Sequence, residues 1–292
     1  MTKISAGRKL KEMLRKDGIV VAPGAYDALT AKLIEISGFS CAYMTGYGVS
    51  ASVLGKPDIG LITMTEMVNQ LRNMAGAVDI PVVGDGDNGY GGLLNVVRTV
   101  EEYEKAGAAG IQLEDQVTPK RCGHMEGKEI ISKNEMVSKI KAAIHARKDP
   151  DFQIIARTDA RAVNGFEDAL DRAKAFEQAG ADIIFLEAPE TVEEMIELNK
   201  QIKVPTIANM VEKGKTPLLT GKELAEIGYK MVIYPVSGLY CVTKAVLDML
   251  EIIKETDTTK GVLDRMIPFD SFNKLISLDE LRDLEKQLTT KE

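Results

Sequence analysis

Ala106-Gly107-Ala108-Ala109-Gly110-Ile111-Gln112-Leu113-Glu114-Asp115 is the stretch that decides the fold. A helix-like segment, 99–105, ends there on a small residue plus glycine, and a short apolar run follows that stops on two carboxylates. Glycine just past a helix end takes the left-handed cap conformation, and an apolar run behind it reads as a parallel strand buried on both faces. The same punctuation recurs along the chain. Ser37-Gly38 leads into Cys41-Ala42-Tyr43-Met44, Ala179-Gly180 into Ile183-Ile184-Phe185-Leu186, and Ile227-Gly228 into Met231-Val232-Ile233-Tyr234. Ile19-Val20-Val21-Ala22, Pro81-Val82-Val83, Gln153-Ile154-Ile155-Ala156 and Pro205-Thr206-Ile207-Ala208 bring the strands to eight.

Segments 99–105, Lys133–Ala146, 167–178 and Val192–Gln201 carry apolar residues at helical spacing between these runs. Alternating βα units without a linker-like break predict an α/β fold, one (β/α)8 TIM barrel over residues 1–292 with C-terminal helices from about 240. A doubly wound open sheet is the alternative. Past Pro235, segments 242–253 and Leu278–Leu288 read as further helices that either cap the barrel or pack on another subunit.

At 45% hydrophobic and 28% charged residues, the 292-residue chain has the composition of a soluble globular protein. No apolar run approaches the roughly 18 residues a membrane span needs, and the basic N-terminus lacks the apolar core of a secretory signal. Three cysteines without regular spacing argue against a disulfide framework and for a cytoplasmic home. A net charge of -7 and the absence of Trp disfavour nucleic acid as a partner. The expectation is an enzyme or binder of a small molecule, with no membrane partner.

In such a barrel the chemistry sits at the C-terminal ends of the strands. Those ends carry Thr45-Gly46-Tyr47, Asp85-Gly86-Asp87, Glu114-Asp115, Arg157-Thr158-Asp159, Glu187, Asn209 and Tyr234-Pro235. Asp85, Asp87 and Glu114, with Asp58 from the loop after the second strand, form an all-oxygen anionic cluster that suits Mg2+, with Mn2+ second. Without an ion these carboxylates repel one another and some must take up protons. Gly84-Asp85-Gly86-Asp87-Asn88-Gly89 fits a dinucleotide fingerprint by spacing alone, since a pyrophosphate would meet two carboxylates there. An EF-hand reading of the same loop fails at Tyr90 and Val96, where glycine and glutamate are needed.

Opposite these acids stands a cationic set: Arg157, Lys120, Arg121, His124 and Lys128. A dication together with basic side chains suits a substrate bearing two or more carboxylates. Arg157 can grip one carboxylate bidentately, the Thr45-Gly46-Tyr47 turn can offer backbone N–H groups, and Asn209 can add a donor. Glu187 and Pro235 complete the expected substrate-binding lining. Within Lys120-Arg121-Cys122-Gly123-His124, the surrounding positive charge favours the thiolate of Cys122, which makes that thiol useful for moving protons.

Several motifs in this order carry a resemblance: Gly24-Ala25-Tyr26-Asp27-Ala28, Gly55-x-Pro57-Asp58-x-Gly60, Asp85-x-Asp87-x-Gly89-Tyr90-Gly91, Glu114-Asp115-Gln116, the Cys122 loop, Ala156-Arg157-Thr158-Asp159-Ala160 and Asn209-Met210. From about Ile19 onward the chain resembles the isocitrate lyase / phosphoenolpyruvate mutase superfamily, and its Cys-Gly-His loop resembles the lyase branch. The resemblance implies a C-terminal helix swapped between subunits of a dimer-of-dimers homotetramer. It also implies Mg2+ held mainly by Asp85, with Asp58, Asp87 and Glu114 on coordinated waters, and a mobile loop carrying Cys122. Cys122, Tyr43, His124 and Arg157 are the candidate catalytic residues: Tyr43, by likeness, takes the hydroxyl proton of a 2-hydroxy acid, and Cys122 protonates the carbanion left by C–C cleavage.

The sequence departs from methylisocitrate lyases at Met125-Glu126-Gly127-Lys128 and at Thr45-Gly46-Tyr47, and segment 272–278 looks more like dimethylmalate lyase-like members. 2-Methylisocitrate and 2,3-dimethylmalate are therefore both candidate substrates. Rival readings are a C–P hydrolase or mutase on phosphonopyruvate, an oxaloacetate hydrolase or decarboxylase, a ketopantoate hydroxymethyltransferase-like enzyme, and a non-catalytic dicarboxylate binder.

Overall fold

The computed structural model describes residues 4–123, 125 and 127–289. Eight strands run β1 Val20–Ala25, β2 Ala42–Met44, β3 Val82–Asp85, β4 Gly110–Glu114, β5 Gln153–Thr158, β6 Ile183–Leu186, β7 Ile207–Asn209 and β8 Met231–Tyr234. All neighbours are parallel, in the order β6-β5-β4-β3-β2-β1-β8-β7. A parallel bridge from Ile184 to Thr206, with the Ile184 N–H donating to the Pro205 carbonyl at 3.0 Å, brings β6 alongside the start of β7. The sheet therefore curls into a nearly closed (β/α)8 barrel, and the open-sheet alternative is excluded.

Gly107, after the helix Leu93–Lys105, has φ of 95°, and Gly38, Gly180 and Gly228 share its left-handed backbone. This is the conformation their position after a helix requires. Strand limits differ modestly from the sequence reading. β1 continues through Pro23 because it pairs there with Tyr234, and Gly24 lies so close to the Pro235 backbone that no side chain fits. β7 starts later, since Pro205 has no N–H for the ladder. Helices Ala28–Ile36 and Met64–Ala77 are fixed by N-caps that the periodicity does not reveal: Asp27 accepts from the Thr30 N–H at 2.7 Å, and Thr63 forms a capping box with Glu66.

Inside the barrel, Val83, Ile155, Phe185, Ile207 and Ile233 pack together, and Leu10 and Leu14 of the helix Ala6–Leu14 join them. Each fully buried aliphatic or aromatic side chain there contributes about 1.5–3 kcal/mol.

By its contacts the chain divides into two compact units, 1–240 and 241–292. The helix Ser237–Thr256 runs from the first into the second, where Phe269–Leu275 and Leu278–Leu288 follow. In the second unit Val262 is the one buried residue among those described, while Phe269 is 81% and Leu288 75% exposed. Among the described residues no helix is long and apolar enough to cross a membrane.

Candidate active site

A cavity of about 220 Å³ lies at the C-terminal ends of the strands, with Asp85, Glu114, Arg157, Glu187 and Asn209 in its wall. Asp85 is the most heavily engaged carboxylate. Its Oδ1 accepts from the Asp87 N–H at 3.0 Å and Gln112 Nε2 at 3.1 Å, and its Oδ2 accepts from the Gly46 N–H at 3.2 Å. Thr45-Gly46-Tyr47 is thus no open turn but the start of the helix Gly46–Leu54, capped by Thr45, with the Gly46 amide already facing Asp85. Gly46 itself is absent from the cavity wall, which Thr45 and Tyr47 line. A Cβ at Gly46 would stand 2.7 Å from the Asp85 carboxylate, so glycine is what allows this approach.

Lys120 lines the cavity and already has partners there. Its side chain is 4% exposed and its ammonium lies 2.6 Å from both Asp58 Oδ1 and Asp87 Oδ1, so its charge is shared with these acids. Burial pulls its pKa down, but Asp87, Asp58, Glu114 and Asp85 together hold it well above the usual lysine value. Asp87 stands behind Lys120, away from the cavity wall; burial pushes it up to about 7. Burial also raises Asp85 and lifts Glu114 well above the carboxylate range.

The acids fit a hard cation in one way only. Among the described residues no three Asp, Glu, His or Cys side chains converge to hold an ion directly. Yet Glu114 Oε1 is buried without a hydrogen-bond donor, and Asp58, Asp85 and Glu114 face one cavity. An all-oxygen set that surrounds space rather than closing on a point matches Mg2+, which keeps several waters and takes one or two carboxylates.

On the facing side, Arg157 donates from Nε and Nη2 to Asp159 at 2.9 and 3.0 Å, lies 3.6 Å from Glu114, and rests over the Phe185 ring at 5.2 Å. The Nε–Nη2 edge is occupied, so a substrate carboxylate can meet only the other edge of the guanidinium. Asn209 Nδ2 donates to both Glu187 oxygens at 3.2 Å. Lys128, grouped by sequence with the cations of the site, is instead buried against Asp159 and the Gly123 carbonyl, outside the cavity wall. Behind Asp159, Asp115 accepts from Thr158 Oγ1 at 2.8 Å, the Asp159 N–H at 2.9 Å and Arg172 at 3.1 Å.

The loop after β4 is pinned at its base, where the Arg121 N–H donates to Gln116 Oε1 at 2.9 Å and Gln116 Nε2 returns a bond to the Arg121 carbonyl at 2.8 Å. The Cys122 N–H donates to the Asp58 carbonyl at 3.1 Å, and Arg121 and Cys122 line the cavity, as does Pro235 across from them. Cys122 is partly exposed, whereas Cys41 is buried and Cys241 exposed; none of the three is in a disulfide. His124 lies outside the described residues. Tyr43 also lines the cavity, but its hydroxyl donates to Gln112 Oε1 at 2.5 Å, and burial, with Asp85 next, holds the phenol well above its ordinary pKa.

The sequence reading missed Gln112 and Phe185. Each stands two residues before a strand-end acid, Glu114 or Glu187, and the period of two along a strand places them on the same inward side. It also missed an apolar wall of Met125, Val211, Ile233, Val236 and Tyr240, the last set edge-on to Tyr47 at 6.4 Å.

Residues 10–254 match the family model described as phosphoenolpyruvate phosphomutase. The chain belongs to that family. Within it, the chain is 53% identical to the 2,3-dimethylmalate lyase of Eubacterium barkeri, covering 98% of this chain and 99% of that protein. It is 45% identical to the 2-methylisocitrate lyase of Aeropyrum pernix over 98% of this chain and 92% of the other. Among solved structures, an oxaloacetate acetylhydrolase in complex with 3,3-difluorooxalacetate superposes with a TM-score of 0.93 at 33% identity, over 98% of each chain. This family member is an enzyme, of the lyase kind that its sequence relatives name.

Proposed function

We propose that the protein is a Mg2+-dependent lyase that cleaves a 2-hydroxy dicarboxylate of the 2,3-dimethylmalate type into pyruvate and a second carboxylate. The observation that carries this reading is the pairing, in one cavity, of an acidic rim with a partly exposed thiol. Asp85, backed by Asp58, Asp87 and Glu114, would hold the ion; when bound it supplies positive charge that favours ionisation of the substrate hydroxyl. Arg157 would hold a carboxylate through the guanidinium edge that Asp159 leaves. Tyr43, oriented by Gln112, would take the substrate hydroxyl proton in its phenolate form, which the positive charge of the ion would favour against burial. The C–O bond of the alkoxide becomes a carbonyl as the C–C pair leaves, and Cys122 protonates the resulting carbanion.

The dimethylmalate type is preferred over the tricarboxylate by the cavity's charges. Of the cations in its wall, Lys120, Arg121 and Arg157, the first is paired with Asp58 and Asp87 and the last with Asp159. Beside these charges the wall carries Val211, Ile233, Val236 and Tyr240, which suit methyl groups. The 53% identity to a 2,3-dimethylmalate lyase supports the same choice.

A dimer-of-dimers homotetramer, in which the exposed apolar side chains of 241–292 are covered by a second copy, belongs to this proposal, as does a cytoplasmic location. Light scattering at four times the 31.9 kDa chain mass would support the assembly, and a monomer would refute it. The function is tested by 2-keto-acid release across a panel of 2,3-dimethylmalate, 2-methylisocitrate, phosphonopyruvate and oxaloacetate. Pyruvate from 2,3-dimethylmalate at the highest kcat/KM is expected. Phosphate from phosphonopyruvate or oxalate from oxaloacetate as the fastest product would overturn the reading.

A further inference from the structure

Lys128 is a buried cation that takes no part in the cavity wall. Its side chain is 2% exposed, and its ammonium bridges the Gly123 carbonyl at 2.5 Å and Asp159 Oδ1 at 2.7 Å. The same Asp159 oxygen accepts from Arg157 Nη2 at 3.0 Å. Gly123 follows Cys122 directly and packs so tightly on the site that a Cβ there would collide with Arg157 Nη2 and Glu187 Oε1. One ammonium thus ties the backbone beside the thiol to the carboxylate that fixes the guanidinium. Neutralising Asp159 does not require this, because Arg157 already pairs with both its oxygens. Burying a lysine is costly unless each donor it directs inward is used, and here the second donor goes to the thiol's neighbour.

We propose that Lys128 is a positioning residue that holds the Cys122 thiol at a fixed separation from the Arg157 guanidinium through Gly123 and Asp159, without itself touching substrate. Its kinetic consequence rests on the lyase reading; its structural consequence does not. The test uses the full chain carrying Cys241→Ser, which removes the exposed thiol and leaves Cys41 buried, so that iodoacetamide reports on Cys122. Lys128→Met should raise the Cys122 alkylation rate about tenfold or more, as expected for loss of a charge-assisted hydrogen bond. Displacing the thiol should lower kcat about 100-fold. Lys128→Arg, which keeps the charge and the reach, should return the alkylation rate to within about threefold of the parent.

A lysine with a purely structural role would lower the melting temperature and leave the alkylation rate unchanged well below it. Lys128→Gln, which keeps one donor, gives the same comparison if the Met variant does not fold. Parental alkylation rates in the Met or Gln variant would overturn the proposal. If the parent releases no 2-keto acid from any substrate, the lyase reading fails while the alkylation comparison still decides the role of Lys128.

Discussion

Val83 and Asp85 stand two residues apart on β3, as do Ile155 and Arg157 on β5 and Ile207 and Asn209 on β7; Phe185 on β6 has the same relation to Glu187 just beyond it. In each pair the first residue belongs to the apolar layer filled by Leu10 and Leu14, and the second lines the cavity. The period of two sends both side chains inward, so a step of two residues separates core from chemistry. The lower layer can be apolar because it meets mainly its own kind, although Phe185 also reaches the cavity beneath Arg157. The upper layer holds buried charges: burial raises Asp85 and Glu114, and Arg157 stays above its ordinary value against burial because of Asp159, Glu187 and Glu114. Substitutions in the two layers should therefore fail differently.

Cys122→Ser bears on the upper layer alone and should have the largest effect. Removal of a positioned proton donor is expected to lower kcat by about 10²–10⁴ while leaving the melting temperature unchanged. A 2-keto-acid assay on the variant measures this, and parental kcat would remove Cys122 from the mechanism. Ile155→Ala, two residues before Arg157, tests the lower layer. It should cost about 2–5 kcal/mol in urea unfolding, with kcat per folded molecule within about threefold. A large kcat loss with little destabilisation would show that the layers are not separable.

How much of this was readable in advance follows the same division. The glycine punctuation at Gly38, Gly107, Gly180 and Gly228 is a backbone property, and it marks strand positions without knowledge of tertiary contacts. Asp85, Glu114 and Glu187 are legible because each stands at or just past the end of its own strand. What Lys120 and Lys128 do was not legible, because an ion pair depends on which loop folds against which acid. Both were expected to face a substrate, and both are buried against aspartates that neighbouring strands and loops supply. Gln112 escaped notice because an amide inside an apolar run carries no charge signal.

A third test sharpens the contrast through pH. Burial raises Asp87 from 3.8 to about 7, so between those values the folded metal-free protein binds a proton that the unfolded chain does not. By linkage its contribution is fully present below the unfolded value and is lost as pH rises through the folded one. The melting temperature of EDTA-treated protein should carry a falling component across this window, which saturating Mg2+ removes. Identical profiles with and without Mg2+ would contradict the cation site. The smallest effect is expected at the apolar wall: Tyr240→Arg should raise kcat/KM for 2-methylisocitrate relative to 2,3-dimethylmalate by about tenfold, the scale of one charge-assisted contact. An unchanged ratio would show that Tyr240 does not set the substrate's charge.

The most direct measurement is pyruvate release from 2,3-dimethylmalate by EDTA-treated protein as Mg2+ is restored, run beside Asp85→Asn. The account expects no turnover without the ion, full recovery on its return in the parent, and none in the variant. Undiminished turnover after EDTA, or recovery in Asp85→Asn equal to that of the parent, would contradict it.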